Sequence, residues 1–291
     1  MLFKLFGRSL MTDITIAIVS PGNMGAAIGA RLVANGIKVV TPTGRSPASE
    51  KRAREAGMTF IDEAGLGEVD FVFSIVPPDR AVETARNAAP FVGRSGRRPL
   101  YIDWNAIGVA RVREIERIIL AEGGRFADGS IIGLPPAGEN PGPMLYASGR
   151  EASSLSKIDN GGLRFGIMDE EVGAASALKL SYAGITKGLI ALGSAMLLAA
   201  ERAGCGQALL AELSASQPHL LASFQKSIPD MFSKARRWVP ELDGIATFIG
   251  PERSESRIYD GISQFYADLA TSFDTDGVDI EKLDSMLRKR S

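Results

Sequence analysis

Along the first half of the chain, hydrophobic positions switch repeatedly between two periods. Ile14 to Val19 is a short β-branched run, followed by Asn23 to Asn35, where Met24, Ala27, Ile28 and Leu32 recur at helical spacing until Gly36 supplies a stop. Val39 to Thr41 is strand-like again. Ser46 is placed to cap a helix with Pro47 at its first position and Gly57 beyond its end. Asp70 to Val76 reads as an apolar strand closed by Pro77 and Pro78. Leu100 to Asp103 is another strand, and Val109 to Glu122 is a helix ended by Gly123 and Gly124. Apolar strands alternating with helices predict a parallel sheet covered on both faces.

From Phe126 the pattern shifts. Phe126–Ile132, Met144–Ser148 and Arg164–Ile167 are strand-like, with a short helix-like stretch before the third. After Met168 no strand signal remains. Val172 to Ala203 reads as one long helix rich in Ala, Leu and Ile, and Gly204 ends it. Helices are then expected over Ala208–Gln225, Asp230–Val239, Arg253–Ser272 and Ile280–Arg288. The pattern therefore divides into an α/β domain over 13–168 and an all-α domain over 172–291. Residues 1–12 are expected to be a disordered extension, with Met11 as an alternative start, because they lack the long apolar run and small-residue cleavage site of a secretory signal. The longest apolar run, Gly188 to Ala200, is too short to span a bilayer and is bracketed by Lys187 and Glu201, so a buried helix is expected.

Composition narrows the function classes. In 291 residues, 45% are hydrophobic and 23% charged, as in an ordinary soluble protein. The net charge of −1 supplies no field to attract nucleic acid or an anionic membrane. A single cysteine rules out an internal disulfide and a Cys-rich metal site, and fits a reduced, cytoplasmic setting.

The strongest motif is Ser20-Pro21-Gly22-Asn23-Met24-Gly25, between the first strand and the first helix, where a dinucleotide-binding turn must sit. Gly22 lets backbone approach a pyrophosphate, the helix N-terminus offers free N–H groups, and Gly25 lets helix pack closely on strand. Ser20 replaces the first glycine of that fingerprint. After the second strand an NAD-binding protein carries Asp or Glu for the ribose hydroxyls. Here the stretch is Thr41-Pro42-Thr43-Gly44-Arg45-Ser46, with no acid before Glu50. Arg45 can pair with a 2′-phosphate and Ser46 can donate to it, which points to NADP(H), with NAD(H) as the alternative. A solvated arginine at a helix start is the bland reading of Arg45.

Hydride transfer to a carbonyl or imine needs a proton donor or acceptor. The only histidine, His219, follows Pro218 in the all-α half, where a helix-start surface position is expected. No tyrosine is followed four positions later by lysine, and the lone Cys205 excludes a Cys-ligated catalytic zinc. Lys179 remains, beside Ala175, Ala177, Leu178 and Leu180, with Tyr182, Ala183 and Thr186 on its face. It is either a lysine of lowered pKa in a dry cleft, able to act as general acid or base, or one snorkelling to the surface.

Taken together, these residues resemble the 6-phosphogluconate/β-hydroxyacid dehydrogenase superfamily. Gly22-Asn23-Met24-Gly25 is similar to its glycine-x-methionine-glycine loop, Ser74-Ile75-Val76-Pro77-Pro78 to its post-strand cofactor segment, and Asp103-Trp104-Asn105 to the loop approaching the nicotinamide. Gly173 to Lys179 resembles the glycine-led helix that carries the catalytic lysine. Ser176–Gly193, Ser216–Leu221 and Arg237-Trp238-Val239 resemble a branch whose C-terminal domain has no assigned function. The resemblance implies a Rossmann-type parallel-sheet domain, a helical domain that dimerises, and an active site in the cleft between them. The substrate signature departs from that family. Where it has a serine–glycine–glycine turn, this chain has Asp128-Gly129-Ser130-Ile131-Ile132-Gly133-Leu134, so Ile132 stands at the serine position with Ser130 close by. Ala183 replaces the asparagine four residues after the lysine, and Pro240-Glu241 offers no match to a late lysine–aspartate pair.

The expectation is an NADP(H)-dependent dehydrogenase or reductase acting on a small hydroxyl or carbonyl compound. Lys179 is its acid/base, Asn105 a positioning group for nicotinamide and substrate, and Ser130, Ile132, Tyr182 and Ala183 its substrate-side residues. The alternatives are an imine reductase and a non-catalytic NADP(H)-binding sensor. A homodimer through the C-terminal half is expected, because the all-α domain carries more apolar surface than it can bury alone.

Overall fold

The computed structural model describes residues 14–158, 161–275 and 277–288, so the expected 1–12 extension lies outside the described residues. It divides into two compact units, one through Lys179 and one from Leu180. The division therefore falls inside the long helix, beyond the 168–172 boundary drawn from the pattern.

The first unit is built on one eight-stranded sheet. In chain order the strands are β1 (Thr15–Val19), β2 (Lys38–Pro42), β3 (Thr59–Ile61), β4 (Phe71–Ser74), β5 (Leu100–Asp103), β6 (Arg125–Ile132), β7 (Met144–Ser148) and β8 (Arg164–Ile167). Their spatial order is β3-β2-β1-β4-β5-β6-β7-β8, parallel throughout except for the antiparallel β6–β7 pair. The helices of this unit are α1 (Asn23–Ala34), α2 (Pro47–Glu55), α3 (Ala81–Arg94) and α4 (Val109–Ala121). Strand residues alternate between two cores. Ile16, Ile18, Phe71, Phe73, Leu100 and Ile102 pack on one face with Ile28 and Leu32 of α1. Ala17, Val19, Val72, Tyr101 and Phe126 pack on the other with Val92 of α3 and Ile115 of α4. Both faces are covered, as apolar parallel strands require.

Two elements here escape the pattern reading. β3 has only three residues, and α3 contains Pro90. A proline inside a helix removes one hydrogen bond and costs about 3 kcal/mol. Burial of Ala81, Ala85, Ala88, Ala89 and Val92 lets α3 continue through it.

One polar row crosses this apolar sheet. Register pairs Ser74 with Asp103, Asp103 with Asp128, and Asp128 with Ser148. Strand alternation puts all four on one face, and all four are buried. The row ends on the start of α5 (Ala174–Arg202). Asp128 Oδ2 accepts from the backbone N–H groups of Gly173 and Ser176, both at 3.0 Å, and from Ser148 Oγ at 3.2 Å. Its Oδ1 accepts from Ser176 Oγ at 2.6 Å, while Ser148 Oγ accepts from Ala175 N–H at 3.0 Å. Gly173 has φ +103°, and a Cβ there would stand 2.8 Å from Val109 Cγ1, so glycine is required where the chain turns into the helix.

The second unit is helical: the rest of α5, then α6 (Gly206–Ser216), α7 (Pro218–Met231), α8 (Ala235–Ile249), α9 (Ser256–Asp274) and α10 (Val278–Leu287). Phe224, Ile228, Met231, Trp238, Leu242, Tyr266 and Leu283 form its core with Leu197 and Leu198 of α5. The helix expected over Ala208–Gln225 is two helices, broken at Gln217 because Pro218 begins the next. The helix expected over Asp230–Val239 is corrected as well. α7 runs to Met231, and α8 continues through Pro240 because Trp238, Leu242 and Ile245 are buried on either side of it. By length and composition α5 is apolar enough to cross a membrane, which the shorter run Gly188–Ala200 had not indicated. Ala191, Leu197 and Leu198 nonetheless face the core of this unit.

Removing a partner from a buried charged network leaves donors without acceptors, at about 1–3 kcal/mol each. Asp128→Ala is therefore expected to destabilise the first unit by about 3 kcal/mol, and Asp128→Asn by clearly less. Urea unfolding read from Trp104 in a Trp238→Phe background tests this. An Asp128→Ala variant within about 0.5 kcal/mol of its parent would show that the carboxylate does not hold α5.

Candidate cofactor site

The loop leaving β1 keeps the geometry of a dinucleotide turn although its first glycine is absent. Ser20 takes that place with φ +54°, a left-handed conformation that glycine adopts without steric cost. Gly22 caps α1 with no side-chain hydrogen bond, and a Cβ added there meets nothing within 4 Å. The first intrahelical bond runs from Ala26 N–H to Gly22 O, so the N–H groups before it have no partner within the helix. Gly25 lets α1 pack closely on β1, since a Cβ there would lie a tight 3.3 Å from Ile18 Cγ2. Arg52 of α2 braces the loop from below, donating from Nε to Pro21 O at 3.2 Å.

A cavity of about 350 Å³ opens beside this loop. Ser20, Gly44, Arg45, Ser46, Val76 and Pro77 line it, which unites residues from the ends of β1, β2 and β4. Gly44 turns at φ +76°, and Thr43 N–H donates to Ile61 O, tying the turn after β2 to the end of β3. Ser46 caps α2 by accepting from Ser49 N–H at 3.3 Å. Arg45 is drawn to Glu63 at 3.6 Å, while its Nε is buried with no acceptor among the described residues. Three charged wall residues, Glu63, Arg80 and Glu83, carry no motif and were not found in the sequence.

These features fit a dinucleotide. The uncapped helix start offers N–H groups and a positive dipole end to a pyrophosphate. The open side of Gly22 admits close approach, and the spare Arg45 donor suits an anion.

The residues expected on the nicotinamide and substrate side are arranged differently. Asn105 is buried, and its side chain is engaged: Oδ1 accepts from Val76 N–H at 2.6 Å and Nδ2 donates to Ser74 Oγ at 3.1 Å. It clamps the loop after β4 to the loop after β5, with its own N–H donating to Asp103 Oδ1 at 2.7 Å. Ser130 is fully buried on β6 with Oγ unpartnered among the described residues, and Ile132 is half-buried. Lys179, on the second turn of α5, is half-buried, and Asp128 fixes the turn before it. Tyr182 is exposed and Ala183 half-buried on the part of α5 in the second unit. His219 is exposed at the start of α7, and Cys205 is free and exposed.

Residues 15–104 match the family described as NADP oxidoreductase, coenzyme F420-dependent, and residues 200–269 match a domain of unknown function, DUF1932. A solved protein of unknown function, whose structure revealed similarity with 3-hydroxyacid dehydrogenases, superposes with a TM-score of 0.78. It is 27% identical, and the alignment covers 93% of this chain and 99% of that one. The chain therefore has the 3-hydroxyacid dehydrogenase-like fold. Among curated proteins, a mitochondrial 3-hydroxyisobutyrate dehydrogenase from Drosophila melanogaster is 26% identical over 138 residues, 47% of this chain and 42% of the relative. The matched stretch thus spans about half the length of such curated relatives. The fold is shared with Mycobacterium tuberculosis 3-hydroxyisobutyrate dehydrogenase, at TM-score 0.68 and 16% identity over 94% of this chain and 98% of that one. It is shared too with an imine reductase from Myxococcus stipitatus in complex with NAD+, at TM-score 0.60 and 17% identity over 95% and 99%.

The polar row gives this dehydrogenase-like chain a pH signature. Burial pushes the Asp103 carboxyl from 3.8 up to about 7, against the pull of the Asn105 N–H and with Asp128 adding to the rise. Between pH 4 and 7 the folded state then keeps a proton that the unfolded chain has released. Stability falls as pH rises through that window and levels off above it. Asp103→Asn keeps the acceptor for Asn105 and removes the titration. The variant is expected to lose less stability than wild type between pH 5 and pH 8 in urea unfolding. Equal losses would place the titration elsewhere.

Proposed function

We propose that this protein is an NADP(H)-dependent oxidoreductase that moves hydride between the nicotinamide and a small hydroxyl- or carbonyl-bearing substrate. The observation that carries the reading is the uncapped α1 start at Gly22, together with the cavity that Ser20 of the same loop lines jointly with Arg45. In this reading Ser20, Pro21, Gly22, Asn23, Met24 and Gly25 hold the pyrophosphate, with Thr43, Gly44, Arg45 and Ser46 at the 2′ end. Val76, Pro77 and Pro78 line the ribose path towards the nicotinamide. A nicotinamide held there would supply or accept the hydride. Lys179 gives or takes the proton at the substrate oxygen, and the Asp128–Ser176 bond holds the turn that precedes it. Asn105 contributes by fixing the backbone at Val76, given how its amide is engaged. Ser130, Ile132, Tyr182 and Ala183 remain the substrate-side residues. An imine substrate is the second reading, supported by the shared imine reductase fold.

The first test is fluorescence titration with NADPH and NADH. NADPH is expected to bind more tightly, and Arg45→Ala to lower its affinity about tenfold or more, as loss of a charge-assisted pair to a phosphate does. Lys179→Ala is expected to leave that affinity unchanged and to abolish NADP⁺ reduction by whichever alcohol, hydroxy acid or amine supports it. Surviving turnover would remove Lys179 from the acid/base role.

We further propose that the second unit pairs with another copy of this chain. Tyr182, Ile185, Leu189, Leu192 and Met196 are all exposed on α5 at spacings of three and four, the seam of a packed helix pair. The groove of about 520 Å³ beside that seam is walled by Ile258, Tyr259, Ile262 and Phe265 of α9. Leu189→Glu with Leu192→Glu is expected to convert a dimer to a monomer in light scattering. A wild-type monomer at micromolar concentration would refute the pairing.

A further inference from the structure

The cavity at the end of β2 holds a charge that the motif logic does not account for. An acid for the ribose hydroxyls belongs at the end of the second strand, and the chain has Thr41, Pro42, Thr43 and Gly44 there. The structure brings an acid to the same cavity from the next strand. Glu63 follows β3, lines the cavity, and lies 3.6 Å from Arg45. The lining of the same cavity includes a second such pair, with Arg80 3.0 Å from Glu83. Two cations and two anions line the cavity, so its side-chain charges balance.

Such balance bears on which cofactor enters. A 2′-phosphate dianion that pairs with Arg45 must come within a few ångströms of the Glu63 carboxylate, and like charges at that range repel. Glu63 can swing away, because its side chain is 51% exposed against 28% for Arg45. A ribose with a free 2′-hydroxyl meets no such conflict. It leaves the Arg45–Glu63 pair intact and donates its hydroxyl to the carboxylate, the hydrogen bond an acid at the end of β2 ordinarily accepts.

We propose that Glu63 is a cofactor-discriminating residue, opposing the 2′-phosphate and accepting the free ribose hydroxyls, so that Arg45 and Glu63 together set the NADPH-to-NADH preference. This rests on assigning the cavity to the 2′ end of the cofactor, as above. Arg45 pulls the ratio one way and Glu63 the other.

The experiment is fluorescence titration of the full chain with NADPH and with NADH, for wild type, Glu63→Gln and Arg45→Ala, at low salt and at about 0.5 M salt. Glu63→Gln is expected to raise the NADPH-to-NADH affinity ratio about fivefold at low salt, the scale of one partly exposed charge pair. The shift is expected to shrink at high salt, where exposed charges are screened. If the ratio stays within about twofold of wild type while Arg45→Ala still weakens NADPH, the cofactor reading stands and the role of Glu63 is overturned. If Arg45→Ala leaves NADPH affinity unchanged, the cavity is not the 2′ site and the inference falls with that assignment.

Discussion

The carboxylate of Asp128 is buried between two strands and the first turn of a helix, and its four donors decide where that helix begins. Taking an ionised carboxylate out of water costs several kcal/mol. Gly173, Ser176 and Ser148 offset this by aiming two N–H groups and two hydroxyls at it. Even so, burial outweighs those bonds and holds the acid above its ordinary range. An interaction this exacting has one good geometry. It fixes the α5 start against β6, and so sets the orientation with which Lys179, one turn beyond Ser176, leaves the sheet.

The same row organises the cofactor edge. Ser74 and Asp103 are the last residues of their strands, and Asn105 turns back from beyond Asp103 to bond Ser74 and the Val76 backbone. The loop after β4, which lines the cavity at Val76 and Pro77, is thereby held by buried polar groups of the sheet. Loops at the carboxyl edge of parallel strands bind ligands well when the scaffold beneath them is rigid, and here polar contacts in an apolar sheet supply that rigidity.

What the sequence made legible was local. The strand–turn–helix around Gly22 declares itself because a β-branched run, a glycine and a helical period fall within twenty-odd residues of one another. Ser46 with Pro47 announced α2 by capping chemistry alone. Pro240 misled in one direction, since a proline reads as a stop while burial of flanking residues keeps α8 helical. Pro218 misled in the other, because the long Ala/Leu pattern hid the break at Gln217. The contacts that build the site were not legible. Asp128 and Ser176 lie 48 positions apart, and Val76 and Asn105 lie 29 apart. Only the strand register brings them together, and no spacing rule encodes it.

Glu63 shows how such contacts bear on function. Read along the chain, it is one acid in a polar turn, and the absence of an acid after β2 leaves Arg45 to decide the cofactor alone. Read across the sheet, β3 lies beside β2, so the turn after β3 reaches the place that the end of β2 leaves without an acid. Specificity at a sheet edge is therefore a property of neighbouring strands jointly. A rule that inspects one strand end counts the cation correctly and misses the anion 3.6 Å away that weighs against it.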